Sequence, residues 1–264
     1  MKDRKTLKPA ERLIVAADFK PSAEFGYDRQ WIEDKVKGLA IALQDTGVYL
    51  KVNSALRATS YELIDFIHAN GLKVFADLKL FDIPETLAID GMFLRQVHPE
   101  MLTVVCHAGM PSMKALKLEL PETEIVGVTM LTSLRMEDLP TLGYFNQTNL
   151  DVVVRALTQT GMKAGLDGNV CSGAEAALVR RVMVEQGKLN ATINTPGIRT
   201  LDSVVKGDDQ NPERIMTPTK AIMSGVDRIV VGRPIVRAEK PYDVTMRIIE
   251  EIAKARTVME SQGS

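Results

Sequence analysis

Along this chain one order recurs: a short apolar run, a polar turn, then a longer stretch with apolar positions three or four residues apart. The short runs are Leu13–Ala17, Val48–Val52, Lys73–Leu78, Leu102–Cys106, Glu124–Thr129, Met162–Gly165, Ala191–Asn194 and Arg228–Val231. Several are continuously apolar rather than alternating, as strands of a parallel sheet covered by helices on both faces should be. Between them, Trp31–Gln44, Tyr61–Ala69, Leu150–Thr160, Gly173–Gln186 and Tyr242–Met259 carry helical periodicity, and Asn70-Gly71 supplies a stop signal. Met162–Gly165 is the poorest strand material of the set, since Lys163-Ala164-Gly165 carries no β-branched residue. Eight β-then-α units fit a (β/α)8 TIM barrel, and a doubly wound open sheet would share most of the pattern. No linker or short repeat divides the chain, so residues 1–264 read as one domain, with the polar stretch Thr200–Pro212 as a functional loop.

Composition narrows the function classes. The 264 residues are 45% hydrophobic and 25% charged, with 33 Lys plus Arg against 34 Asp plus Glu. A net charge of −1 gives no reason to expect a nucleic-acid partner, although a local basic site could hold one phosphate. Cys106 and Cys171 lack a short metal-binding or disulfide spacing, which fits reduced thiols in a cytoplasmic protein. The charged N-terminal segment has no apolar signal core, and no run approaches the roughly 18 apolar residues of a membrane span.

The densest chemistry lies at the end of the third run, where Asp77, Lys79 and Asp82 form a D-x-K-x-x-D array. Strand alternation puts Asp77 and Lys79 on one face. In a barrel, that face opens at the C-terminal mouth where active sites form. Asp18 and Lys51 end the first two runs and can converge there. Taken alone, such an array could equally be solvated strand-end charge. Thr195-Pro-Gly-Ile-Arg199 after the seventh run and Val231-Gly-Arg-Pro234 after the eighth supply glycine and arginine where barrels cradle phosphate. Neither segment alone exceeds a turn with a surface arginine; the two together point to a phosphate.

The run Phe75–Thr86 resembles the D-L-K-x-H-D-I-P-N-T signature of the orotidine 5′-phosphate decarboxylase family. The resemblance continues through Leu13–Asp18, Lys51-Val52, Val128–Ser133, Gly165–Ser172, Thr195–Arg199, Gly207–Gln210, Arg214–Pro218 and Val231–Pro234. It implies a metal- and cofactor-free TIM-barrel enzyme that converts orotidine 5′-phosphate to uridylate and CO2 in pyrimidine synthesis. Lys79 would protonate pyrimidine C6 within a charge network of Lys51, Asp77, Lys79 and Asp82. Asp18 and Lys51 would hold the ribose, and Thr132 would contact the pyrimidine. Gln210, Gly232 and Arg233 would bind phosphate, with Arg199 beside them and Thr200–Pro212 as the lid. Asp82 and Thr86 would reach the neighbouring subunit's site in a homodimer. The chain departs from the family pattern at Asn53, Phe81, Glu85 and Asn194. Two other readings share parts of the pattern: a magnesium-dependent sugar-phosphate lyase on the same barrel, and a non-catalytic phosphate-binding barrel.

Overall fold

The computed structural model describes residues 3–21, 28–144, 149–199 and 216–262. Eight parallel strands close into a barrel in sequence order, β1 next to β2 and on round to β8, which pairs with β1. They are β1 Leu13–Ala16, β2 Tyr49–Val52, β3 Lys73–Leu80, β4 Met101–Val105, β5 Glu124–Val128, β6 Gly168–Val170, β7 Thr192–Thr195 and β8 Arg228–Val231. Closure decides between the two expected topologies in favour of the barrel. The helices are α1 Arg29–Ala42, α2 Ser54–Ala58, α3 Glu62–Ala69, α4 Pro84–Leu94, α5 Gly109–Glu119, α6 Leu150–Ala164, α7 Ala176–Glu185, α8 Pro218–Met223, α9 Arg233–Val236 and α10 Pro241–Gln262. None in the described residues is long and apolar enough to cross a membrane.

Strand alternation sorts the core into two compartments. Leu13 and Val15 face outward into the large core under the helices, whereas Ile14 and Ala16 join Tyr49, Phe75, Met101, Val126 and Val230 inside the barrel. Burial on both sides is why these strands read as unbroken apolar runs.

The sixth strand is a correction. Met162–Ala164 completes α6, which stops where Gly165 takes a left-handed conformation (φ 90°) and donates its N–H back to Gly161 and Met162. The strand follows at Gly168–Val170 and is too short and polar to stand out. Its glycine is fixed by packing: a Cβ on Gly168 would lie 2.5 Å from the Thr192 carbonyl oxygen. Smaller shifts occur elsewhere, as β3 runs two residues further than expected, to Leu80. The expected lid, Thr200–Pro212, lies outside the described residues together with Gln210.

Candidate active site

The C-terminal ends of the strands surround a cavity of about 450 Å³. Asp18, Lys51, Asp77 and Lys79 line one side, Thr132 another, and Arg199, Gly232 and Arg233 the β7–β8 side. Lys51 lies at the β2 position paired with Ala16 of β1, which aims it inward next to Asp18. Its ammonium donates to both Asp18 carboxylate oxygens at 2.9 Å and lies 3.3 Å from Asp77 Oδ2. The Lys79 ammonium donates to the same Asp77 oxygen at 2.7 Å. The result is an alternating row, Asp18–Lys51–Asp77–Lys79, with Lys51 and Asp77 buried.

Plain alternation does not place Lys79. Its φ is 48°, and the β3–β4 register slips between Ala76 and Leu80. A left-handed conformation costs a non-glycine residue about 1–2 kcal/mol. The slip is tied down by Thr103 of β4, which is fully buried. Its hydroxyl accepts the Lys79 backbone N–H at 2.8 Å and donates to Asp77 Oδ1 at 3.0 Å. The Arg57 guanidinium braces the same bend by donating to the Leu78 carbonyl. Sequence reasoning missed Thr103; its signal was a lone hydroxyl in an apolar strand next to the strand bearing the charged array.

Gly232 has a negative φ (−111°), and a Cβ there would meet only Ala16, at an ordinary 3.5 Å. Protein packing therefore does not demand glycine, and the open backbone faces the cavity. Gly197 differs, because its φ of 81° favours glycine outright. Arg199 is buried, and its N–H donates to the Met216 carbonyl at 3.1 Å, holding the two sides of the expected lid's base together.

Two predicted residues stand apart. Asp82 is exposed, its carboxylate accepting the neighbouring Ile83 N–H at 2.7 Å, and neither it nor Thr86 lines the cavity of its own chain. Around them Phe81, Ile83, Met92 and Phe93 are each at least half exposed, an apolar surface at the start of α4 and along it. Cys171 does line the cavity, but burial pushes its thiol far above the ordinary range, so no thiolate nucleophile is on offer. His107 pairs with the Tyr144 hydroxyl at 2.6 Å outside the cavity lining.

A closed parallel barrel whose mouth sets a lysine–carboxylate row opposite a glycine and arginines has the architecture of a TIM-barrel enzyme. The profile of the Orotidine 5'-phosphate decarboxylase / HUMPS family matches residues 11–248, and the chain belongs to that family. Among its relatives, orotidine 5'-phosphate decarboxylase of Methylobacterium nodulans is 35% identical over 256 residues, covering 95% of this chain and 99% of the relative. The protein of the same name from Afipia carboxidovorans is 36% identical over 250 residues, covering 94% and 97%. The crystal structure of orotidine 5'-phosphate decarboxylase from Lactobacillus acidophilus superposes with a TM-score of 0.70 at 25% identity, covering 92% of this chain and 99% of that one.

Proposed function

We infer that this chain is a carboxy-lyase that converts orotidine 5′-phosphate to uridine 5′-phosphate and CO2 in pyrimidine nucleotide synthesis. The observation that carries the reading is the Lys79 ammonium, held 2.7 Å from Asp77 in a cavity whose far side presents Gly232, Arg233 and Arg199. One end can grip a phosphate while the other meets a reacting ring.

Breaking the C6–carboxylate bond releases CO2 and leaves its electron pair at C6, in an sp2 orbital that the ring π system cannot delocalise. The Lys79 ammonium opposes that charge as it develops, without reorganising, and then delivers its proton to C6. Asp77 orients Lys79 and stands beside the departing carboxylate. Asp18 and Lys51 hold the ribose hydroxyls, and Thr132 faces the pyrimidine. The phosphate binds at Gly232 and Arg233 with Arg199 and Gln210, and closure of Thr200–Pro212 would let that remote binding energy act at the ring. Each tenfold in rate requires about 1.4 kcal/mol, so these contributions act together.

The reaction so read uses neither metal nor cofactor, in a cytoplasmic homodimer that needs no nucleic acid or membrane. Asp82 and Thr86, turned away from their own cavity and set in an exposed apolar surface, would complete the neighbour's site.

One assay series tests these points. Purified protein in EDTA should deplete orotidylate absorbance and form uridylate, and Lys79→Ala should abolish the conversion. Mixed dimers of Lys79→Ala and Asp82→Asn chains should recover part of the activity through hybrid sites. Turnover only of a sugar phosphate, and only with magnesium, would instead make the chain a lyase of that other kind; tight binding without turnover would make it a binding barrel. Verified mixed dimers without recovery would refute shared sites.

A further inference from the structure

The β3–β4 ladder is irregular where Lys79 lies. Ala76 pairs with Leu102 and Leu80 with Val104, so Asp77, Leu78 and Lys79 stand opposite Thr103 alone. A bulge of this kind breaks the ladder and leaves backbone groups to find other partners. Here side chains supply them at both ends of one peptide unit. The Leu78 carbonyl accepts from the Arg57 guanidinium of α2, and the Lys79 N–H donates to the Thr103 hydroxyl at 2.8 Å. Thr103 shares the inward face of β4 with Met101 and is fully buried. Its one hydroxyl proton goes to Asp77 Oδ1 at 3.0 Å. The other Asp77 oxygen accepts from the Lys79 ammonium at 2.7 Å and lies 3.3 Å from that of Lys51. Lys79 is thus tied to one carboxylate twice, through its backbone by way of Thr103 and through its own ammonium.

We propose that Thr103 is a positioning residue for the proton transfer, with Arg57 holding the other end of the same peptide. Its hydroxyl locks Asp77 and the Lys79 backbone together, and so aims the ammonium into the cavity. The proposal rests on Lys79 as the proton donor of the preceding section and adds the group that sets its direction. Thr103 does not line the cavity, so it acts through Asp77 and Lys79 rather than on the substrate. Without the hydroxyl, the Lys79 N–H loses its acceptor, and the left-handed turn at φ 48° loses what holds it. Asp77 is then free to rotate away from the point where one oxygen serves two ammonium groups. Such a displacement disturbs the reacting geometry and leaves the contacts to phosphate and ribose in place, so it lowers kcat rather than raising KM.

The test compares the full-length protein with Thr103→Val, which keeps the shape without the hydroxyl, and Thr103→Ser, which keeps the hydroxyl. Each is assayed on orotidylate and for inhibition by uridylate, with turnover counted per uridylate-binding molecule. Thr103→Val should lower kcat roughly 10- to 100-fold, the scale of a misplacement of about 1 Å. Its KM and its uridylate inhibition constant should stay within about threefold of the parent. Thr103→Ser should restore most of the loss. An unchanged kcat per binding molecule in Thr103→Val, whatever its unfolding midpoint, would make Thr103 merely structural and overturn the proposal. So would a Thr103→Ser protein no faster than Thr103→Val. If Thr103→Val does not fold, Arg57→Met releases the carbonyl end of the same peptide from the exposed side. There kcat should fall about fivefold at constant KM, and an unchanged kcat would again overturn the proposal. Crystal structures of the parent and the folded variant give a readout independent of turnover: Lys79 should leave the left-handed region and its ammonium should part from Asp77. A parent without activity on orotidylate would remove the decarboxylase reading instead, and an unmoved Lys79 would refute the positioning role whatever the substrate.

Discussion

At the N-terminal end of the barrel, the Arg228 side chain is only 2% exposed, yet all of its nitrogens are engaged. It donates to both Glu124 oxygens at 2.8 Å and to the Glu11 carbonyl at 3.1 Å, and its guanidinium lies over the Tyr49 ring. At the C-terminal end, Asp18 keeps 58% of its side chain exposed, Lys79 sits in a strained backbone conformation, and three arginines face an open cavity. Both ends are crowded with charge. At the floor the Arg228 donors close onto acceptors belonging to the protein, so that charge fixes the barrel. The mouth instead sets its arginines and its lysine–carboxylate row around an open cavity, where a ligand can meet them. Burial would lower the Arg228 pKa, but the Glu124 carboxylate outweighs it and holds the group above its ordinary range. Tyr49 beneath it is pushed up to about 12 by burial.

The largest effect that can break this comparison belongs to the mouth. Asp77→Asn keeps the size of the side chain and an oxygen for Thr103 but removes the charge shared by Lys51 and Lys79. Turnover should fall by about 10²–10³-fold, the range for losing one preorganised electrostatic group. Chemical unfolding should shift by only about 1 kcal/mol, since the site is already strained. Measuring kcat and the urea midpoint on the same preparation checks both. A rate loss below tenfold would mean that the row of charges is structural, like the floor.

The converse experiment is Arg228→Met. It leaves Glu124 partly buried without its guanidinium, and breaking such a pair from one side costs about 3–5 kcal/mol. Turnover per folded molecule should stay unchanged, because Arg228 lies at the opposite end of β8 from Gly232. Adding Glu124→Leu should return part of the stability, as apolar replacement of both partners often does. If kcat dropped while the unfolding midpoint stayed put, floor and mouth would be coupled and the division of labour would fail.

The mouth was legible in the sequence and the floor was not, for a physical reason. Asp18, Lys51, Asp77 and Lys79 each interrupt the C-terminal end of an apolar run, so their polarity is anomalous locally. Arg228 and Glu124 begin their runs and look like ordinary strand-flanking charge; their pairing spans 104 positions. Asn194, a departure from the family pattern, also belongs below: its Oδ1 accepts from Arg228 at 3.3 Å and its Nδ2 donates to Thr192. A recurrent device at this end escaped notice in the same way. Glu100, Asp167 and Asp227 each precede an even-numbered strand and accept the N–H of Val74, Ile125 and Ile193, the second residue of the strand before. Each also meets a cation from the helix that leads into that earlier strand: His68, Lys117 and Arg180 respectively. No local pattern marks a repeat whose parts lie in three separate segments. The sixth strand was misplaced because Gly168 and Asn169 carry their meaning in contacts across the sheet, and the bend at Lys79 was missed because Thr103, which ties it, comes from another strand.

Of the three cations in that device only His68 can lose its charge near neutrality, which makes it the finest probe of the floor. Its hydrogen bond to Glu100, at 3.1 Å, raises its pKa above the ordinary 6.5 despite partial burial. Burial would raise the Glu100 carboxyl, but the bonds from His68 and the Val74 N–H outweigh it and bring it below 4.5. A raised histidine value contributes stability in full below 6.5 and loses it as pH climbs through the folded value. A lowered carboxyl contributes above 4.5 and loses its share as pH falls through its own folded value. The pair is therefore strongest between those limits, around mildly acid pH. His68→Gln should lower stability by no more than about 1 kcal/mol there, because both side chains keep access to solvent that screens them. The deficit should shrink toward alkaline pH, where the parent has lost the same charge. Unfolding curves for both proteins across that range give the difference directly. A deficit that stayed constant with pH would show that the imidazole acts there by packing and neutral hydrogen bonding, and that the floor's third cation contributes nothing through its charge.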